Sequence, residues 1–481
     1  MNKTIRRASV FTLLLVFALL IRATWVQFYD GKALADDKDN RRNAIELYSE
    51  PLGDIVVGGK SVTGSAPTTG SDLKYKRTYT DGKLFSAVTG YSSQVYGATQ
   101  LEGIYQNLLD GTDTRLKTVM DTVTGKRADP GNVITTIDPA VQKAAYDALG
   151  DKKGAAVAID PATGKILAVV STPSYDPSTL ATGTGDAWTQ LTKDPEKPMT
   201  NRALRQPLPP GSTFKLVVAA AALEDGLYSS VDERTDSPDP YQLPLSTDVL
   251  SNENPSAPCE NASIRVALQY SCNNVFAKMA VDLGQDKVRA QADKFGFNDA
   301  SQDVPVRAYE SVYPKDMDKA QTALTGIGQF DVTATPLQMA MVSAAIANGG
   351  KLVTPHMVSQ ITDGGGDVLE NYDDNTDTKE IVSSSTAEQL QSAMQTVVED
   401  GTGTNAQISG ATVGGKTGTA QHGENNSQTP YAWFTSYAKA DGKEVAVAVV
   451  VEQSNAARSE VSGNGLAAPV AKTVMEAALE N

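Results

Sequence analysis

The sequence predicts a mixed α/β (α+β) chain: an antiparallel sheet with a helical lobe, preceded by a β-rich segment and one N-terminal apolar helix. Three observations predict it. An apolar run opens the chain, and residues 30–150 alternate short extended runs with Gly-, Ser- and Thr-rich stretches. From residue 154 a tight hairpin comes first, apolar helices follow, and two strong strands come late. Helices set between an early hairpin and late strands imply one sheet assembled from both ends of the same unit. At 481 residues, 40% hydrophobic and 21% charged, the chain has room for two or three globular domains.

The first element is an anchor. Lys3, Arg6 and Arg7 precede the apolar stretch 8–21, which resumes after Arg22 through Tyr29. Residues 8–21 alone fall short of the roughly 20 residues a span needs. With Arg22 snorkelling and Trp25 and Tyr29 at the interface, a tilted helix over 8–28 reaches across. The basic tip then stays in the cytoplasm and the rest of the chain lies outside the plasma membrane. Ala33-Leu34-Ala35 resembles a signal-peptide cleavage site, but it sits well beyond the apolar run, so an uncleaved anchor is expected. The chain divides into 1–29, 30–150 and 151–481.

Within 30–150, residues 54–57 read as extended, 62–71 (VTGSAPTTGS) as a flexible loop and 131–137 as a strand. Asp138 as N-cap and Pro139 as first helical residue open a helix through Leu149. Residues 154–160 and 165–171 flank a Pro-Ala-Thr-Gly turn and form an antiparallel hairpin. Helices are predicted near 213–225, 263–270, 274–283, 336–347 and 385–399, strands at 432–437 and 445–452, and a last helix near 465–479.

Composition excludes much chemistry. His356 and His422 are the only histidines and Cys259 and Cys272 the only cysteines, which rules out a multi-His zinc centre and a Cys-rich metal or iron–sulfur site. No metal and no cofactor is expected. Net charge is −15; without the four cations at 3, 6, 7 and 22, the remaining 38 Lys+Arg face 57 Asp+Glu, near −19. Such acidity argues against a nucleic-acid partner. Chemistry must run mostly on Ser, Thr, Lys, Asn and carboxylates.

Ser-x-x-Lys places a hydroxyl and an amine one helical turn apart, where the amine can hydrogen-bond the hydroxyl. The pattern occurs at Ser71/Lys74, Ser212/Lys215 and Ser436/Lys439. Ser71 closes a polar loop and Ser436 sits at the exit of a strand, whereas Ser212 follows Pro209-Pro210-Gly211 and opens an apolar helix. A first-turn Ser favours developing negative charge. Lys215 in a buried wall is the anomaly: to act as a base its pKa must fall from about 10.4 to near 7, through desolvation and a neighbouring cation. The plain alternative is an N-cap Ser and a snorkelling Lys. Ser271-Cys272-Asn273 lies between two helical segments, where a turn can aim Ser271 and Asn273 into a cleft; Ser-x-Asn also occurs at Ser462/Asn464. Lys416-Thr417-Gly418 occurs once, on an expected edge strand. There Lys416 could face the cleft, Thr417 and Thr419 could address a substrate carboxylate, and Gly418 could leave room for a substrate backbone. The ordered set 212, 271, 416 is far more specific than any member.

Ser-x-x-Lys, Ser-x-Asn and Lys-Thr-Gly in this order resemble the signature of penicillin-recognising serine enzymes. More of the chain resembles class B penicillin-binding proteins, actinobacterial members above all: Leu208-Pro-Pro-Gly-Ser-Thr-Phe-Lys215, Gly326-Ile-Gly-Gln329, Thr335-Pro-Leu-Gln-Met-Ala340 and Ala347-Asn-Gly-Gly350. Val88-Thr-Gly-Tyr91 and Leu101-Glu102 look like that family's non-catalytic, dimerisation-like pedestal. Two positions depart from the usual pattern: Leu52-Gly53 replaces Arg-Gly, and Tyr431 replaces a His before Ala432-Trp433.

The resemblance implies a penicillin-binding transpeptidase, serine β-lactamase-like fold and D,D-transpeptidation of peptidoglycan stem peptides. Ser212 would attack the penultimate D-Ala carbonyl while neutral Lys215 takes its proton. The backbone N–H groups of Ser212 and Thr419 would form the oxyanion hole, such donors being worth about 3 kcal/mol each. Ser271 and Lys416 would pass a proton to the departing D-Ala, Asn273 would hold the substrate amide, and an acceptor amine would complete the cross-link. A β-lactam would acylate Ser212 and stay. A polytopic membrane glycosyltransferase is the implied partner.

Paired cysteines like Cys259 and Cys272 occur in the actinobacterial relatives, and an exported chain favours a disulfide over buried thiols. His422 reads as a solvated loop residue, Trp433 as core, and Asp373-Asp374 and Asp316-Met-Asp318 as solvated faces. A D,D-carboxypeptidase, a β-lactamase or a non-catalytic sensor or scaffold are the competing functions.

Overall fold

A computed structural model of the chain describes residues 3–30, 41–117, 127–373 and 377–480. Ala33-Leu34-Ala35 and Asp374 lie outside the described residues. Lys3–Trp25 is one α-helix, continued by a π-helical turn over Val26–Asp30. At 1.5 Å per residue it is about 35 Å long. None of its residues is buried, and it is long and apolar enough to cross a membrane. Trp25 stacks on Tyr29 near its end.

Two five-stranded sheets carry the rest. The larger is antiparallel throughout, in the order Thr412–Ala420, Tyr431–Ala440, Lys443–Gln453, Lys153–Ile159, Ile166–Thr172. The expected hairpin and late strands therefore do close one sheet, with the Lys-Thr-Gly strand at its edge. Alternate residues of Lys153–Ile159 enter two cores. Ala155, Val157 and Ile159 pack with the helix Pro336–Ala347, and Ala156 and Ala158 with Pro139–Leu149 and Ala468–Glu480. Helices on both faces explain why these strands read as unbroken apolar runs rather than as alternation.

The helix Pro139–Leu149 starts as the sequence predicts, with Asp138 Oδ1 accepting from Ala140 N at 2.8 Å and Val141 N at 3.1 Å. Three expectations change. Residues 62–71 are not one loop: Thr63–Pro67 pairs with Tyr75–Tyr79, and Thr63 Oγ1 accepts from Ile55 N at 2.8 Å. The last helix begins at Ala468, after a π-turn over Gly463–Ala467. Helices Gly82–Thr89, Gln285–Phe295 and Lys319–Thr325 escape the sequence reading. Gln285–Phe295 (QDKVRAQADKF) buries a narrow stripe of Val288, Gln291, Ala292 and Phe295, too thin a signal in a polar run.

The smaller sheet runs Val368–Asn371, Val358–Thr362, Asn132–Thr135, Ile55–Val57, Lys60–Ser61. Asn132–Thr135 is parallel to Ile55–Val57 and antiparallel to Val358–Thr362. Strands from beyond residue 151 thus complete a sheet begun before it, and the hydrophobic core runs continuously from Ile55 and Val88 to Phe214 and Val358.

Candidate active site

Three elements converge. Ser212 sits in a 3-10 turn, Gly211–Phe214, that feeds the buried helix Lys215–Glu224. A 3-10 turn has three residues per turn, so Ser212 and Lys215 stack directly above one another, more closely aligned than in the α-helix the sequence predicts. Gly211 has φ +54°, and its N–H donates to Gly328 O at 3.1 Å. A Cβ on Gly328 would lie 2.0 Å from Gly211 O, so the Gly326-Ile-Gly-Gln329 segment backs the Ser212 turn by close backbone approach.

The second element is the turn between helices Ile264–Gln269 and Asn273–Leu283. Ser271 adopts φ +60°, a left-handed conformation that lets the chain reverse within one residue. Cys272 is bonded to Cys259, with Cα atoms 5.6 Å apart and both residues buried. The expected disulfide is present and ties the segment before Cys259 to this turn.

The third is the edge strand Thr412–Ala420. Lys416 Nζ donates to Ser271 Oγ at 2.9 Å and to Thr417 O at 2.9 Å. Lys215 Nζ donates to Ser271 O at 2.8 Å, Ser271 Oγ at 3.3 Å and Asn273 Oδ1 at 2.8 Å. One hydroxyl therefore joins two lysines, and both lysines are 0% exposed. The snorkelling reading of Lys215 is excluded. The expected hydrogen bond from Lys215 to Ser212 is not among its three, because the Ser271–Asn273 turn supplies the acceptors first. Burial, then the charge of Lys416, pushes Lys215 well below the usual lysine range. Burial lowers Lys416 to about 7, against the opposing charge of Glu253. Burial and mutual repulsion both disfavour two ammonium groups sharing this dry site, and they bear on Lys215 most.

Thr417 and Gly418 both make close contacts within the protein. Thr417 is buried and its Oγ1 is 2.7 Å from Thr402 Oγ1. A Cβ on Gly418 would meet Pro210 O at 2.9 Å, Thr213 Cγ2 at 3.0 Å and Trp433 Cβ at 3.1 Å. The missing side chain lets the edge strand press against the Ser212 turn. Thr419 is only partly buried. Trp433 is core, as expected, while His422 stacks on Tyr431 with ring centroids 3.9 Å apart and pairs with Thr429 O.

Residues 154–476 match the penicillin binding protein transpeptidase domain, and 52–133 the penicillin binding protein A dimerisation domain. The chain belongs to the penicillin-binding protein transpeptidases. It is 38% identical over 495 residues to the peptidoglycan D,D-transpeptidase PbpA of Mycolicibacterium smegmatis, covering 100% of this chain and 99% of that one. Against PbpA of Mycobacterium tuberculosis H37Rv the identity is 38% over 501 residues, with the same coverage. The ceftriaxone acyl-enzyme complex of M. tuberculosis penicillin-binding protein A superposes with a TM-score of 0.83 at 36% identity, over 90% of this chain and 100% of that one. The penicillin G acyl-enzyme complex gives 0.81 at 37%, over 89% and 100%.

In this transpeptidase the sequence reading missed Thr402, Gly328 and Asn252. Thr402 carries no motif at all. Gly328 lies in a segment whose resemblance was visible but whose contact with Gly211 was not. Asn252, whose Oδ1 accepts from Asn273 N at 2.6 Å, sits in an irregular stretch without periodicity.

Proposed function

We propose that this penicillin-binding transpeptidase cross-links peptidoglycan stem peptides through an acyl-enzyme on Ser212, with Lys215, Ser271, Asn273 and Lys416 as its proton-handling and substrate-holding groups. The observation that carries the reading is Ser271 Oγ held between two fully buried lysine amines, one of them a single 3-10 turn from Ser212. As a neutral amine, Lys215 has a lone pair free for the Ser212 proton, and its two N–H groups still serve Ser271 and Asn273. Ser212 Oγ adds to the penultimate D-Ala carbonyl as its proton passes to Lys215. The oxyanion forms against the backbone N–H groups of Ser212 and Thr419, the edge strand leaving alternate N–H groups without ladder partners.

The departing D-Ala amine takes its proton along Lys215, Ser271 and Lys416. An amine from a second stem then attacks the ester, Ser212 recovers a proton, and the cross-link remains. Thr419 addresses the substrate carboxylate, with Thr417, fixed by Thr402, behind it. A β-lactam acylates Ser212 in the first step, its tethered leaving group blocking the second.

The helix Lys3–Trp25 anchors the chain with Lys3, Arg6 and Arg7 on the cytoplasmic side, and residues 30–150 hold the catalytic part, 151–481, away from the bilayer. A polytopic membrane glycosyltransferase supplies the glycan strands, docking on the anchor and pedestal. Incubating the full chain in detergent with a donor pentapeptide and an acceptor amine tests the reading: D-Ala release matched by cross-linked peptide is expected. Release of D-Ala with only hydrolysed tetrapeptide contradicts it.

A further inference from the structure

The helix Asn273–Leu283 begins without a cap of its own. Its N-cap residue is Cys272, whose sulfur is committed to the disulfide and which makes no side-chain cap bond. The first N–H groups of a helix need acceptors from elsewhere. Asn252 supplies them from upstream: its Oδ1 accepts from Asn273 N at 2.6 Å and from Asn274 N at 3.4 Å. Its Nδ2 donates to Asn274 Oδ1 at 3.0 Å. Asn274, fully buried, in turn donates through Nδ2 to Ser237 O at 3.1 Å and Cys259 O at 2.9 Å. The neighbouring carbonyl, Ser251 O, accepts from Asn273 Nδ2 at 3.1 Å.

These bonds fix both ends of Asn273. Its backbone N–H is held by Asn252, its Nδ2 by Ser251, and its Oδ1 accepts from Lys215 Nζ at 2.8 Å. A carboxamide oxygen accepting from a lysine favours the ammonium over the amine. We propose that Asn252 is a positioning residue of the transpeptidase: it caps the Ser-x-Asn helix in trans and, by fixing Asn273, sets how readily Lys215 gives up its proton. The charges acting on Lys215 are Lys416, which lowers its pKa, and Glu253, beside Asn252, which raises it; the inference rests on the reading of Lys215 as the base for Ser212. An amide suits position 252 because it accepts from the helix end and donates to Asn274 at once. An aspartate there would keep the first role, lose the second and bring a negative charge towards Lys215.

The test measures second-order acylation by a fluorescent penicillin across pH, normalised to the fraction of protein that finally becomes labelled, for the full chain and for Asn252→Ala, Asn252→Asp and Lys215→Ala. Asn252→Ala should lower the plateau rate about tenfold and move the acid limb to lower pH, since Lys215 loses an aligned acceptor. Asn252→Asp should recover much of the rate and move the limb the other way. A limb unmoved in both variants overturns the proposal, even if the labelled fraction falls, because a merely structural residue changes the amount of competent enzyme and not its titration. If Lys215→Ala keeps the normal rate, the base assignment fails and the role of Asn252 fails with it.

Discussion

The proposed mechanism requires Lys215 to be an amine when Ser212 attacks, and its surroundings disfavour the ammonium. Burial and the charge of Lys416 both lower its pKa, while Lys416 itself titrates at about 7. If Lys416 returns a proton to the leaving amine, penicillin acylation should decline as pH rises through about 7, while loss of the Lys215 amine sets the acid limb. Stability should move oppositely to that decline. A lysine at about 7 in the folded chain and 10.5 unfolded leaves the unfolded chain with more bound protons between those values, so stability rises with pH across that window. Lys416→Met removes the penalty: its Tm at pH 7 should exceed that of the parent by about 2 °C or more, the gap closing towards pH 10, while acylation is lost. A lower Tm at every pH would contradict this.

The elements show why parts of the site were legible in the sequence. Ser212 and Lys215 share a short local period, and Lys416 stands out as a charge in an otherwise uncharged, buried strand, so their chemistry could be read from spacing and context. The packing of Gly418 against Pro210, Thr213 and Trp433 joins remote segments, and no local pattern encodes it. Gly418→Ala should therefore push the edge strand off the nucleophile turn, slowing acylation by about tenfold or more with only a modest drop in Tm. Unchanged kinetics would contradict that contact. The disulfide belongs to the same scale. Closing a 13-residue separation beside the Ser-x-Asn turn, it stabilises by about 3 kcal/mol in the chain-entropy view. Paired Cys259→Ser and Cys272→Ser changes should lower Tm and slow acylation together. Without reductant, no thiol should be alkylated in the parent chain.

At the scale of the whole molecule, the feature least visible in the sequence is the shared sheet. The hairpin, the late strands and the edge position of Lys416 followed from order along the chain. The pairing of Val358–Thr362 with Asn132–Thr135 did not, because residues 358–371 are short and polar and reach across to a distant partner. Removing residues 1–150 should leave the Val358–Thr362 edge unpaired and uncover the Ile166–Thr172 strand where helix Gly82–Thr89 packs on it. The truncated chain should be less stable and prone to associate, whereas removing only residues 1–30 should leave the Tm unchanged. Equal Tm for the two truncations would mean that the joined sheet carries no stability. The decisive point is where the acyl group lands. Full-length protein treated with penicillin G, digested and read by mass spectrometry should carry one added penicilloyl mass on the peptide holding Ser212, and Ser212→Ala should carry none. A penicilloyl group on any other residue, or labelling that survives Ser212→Ala, would contradict it.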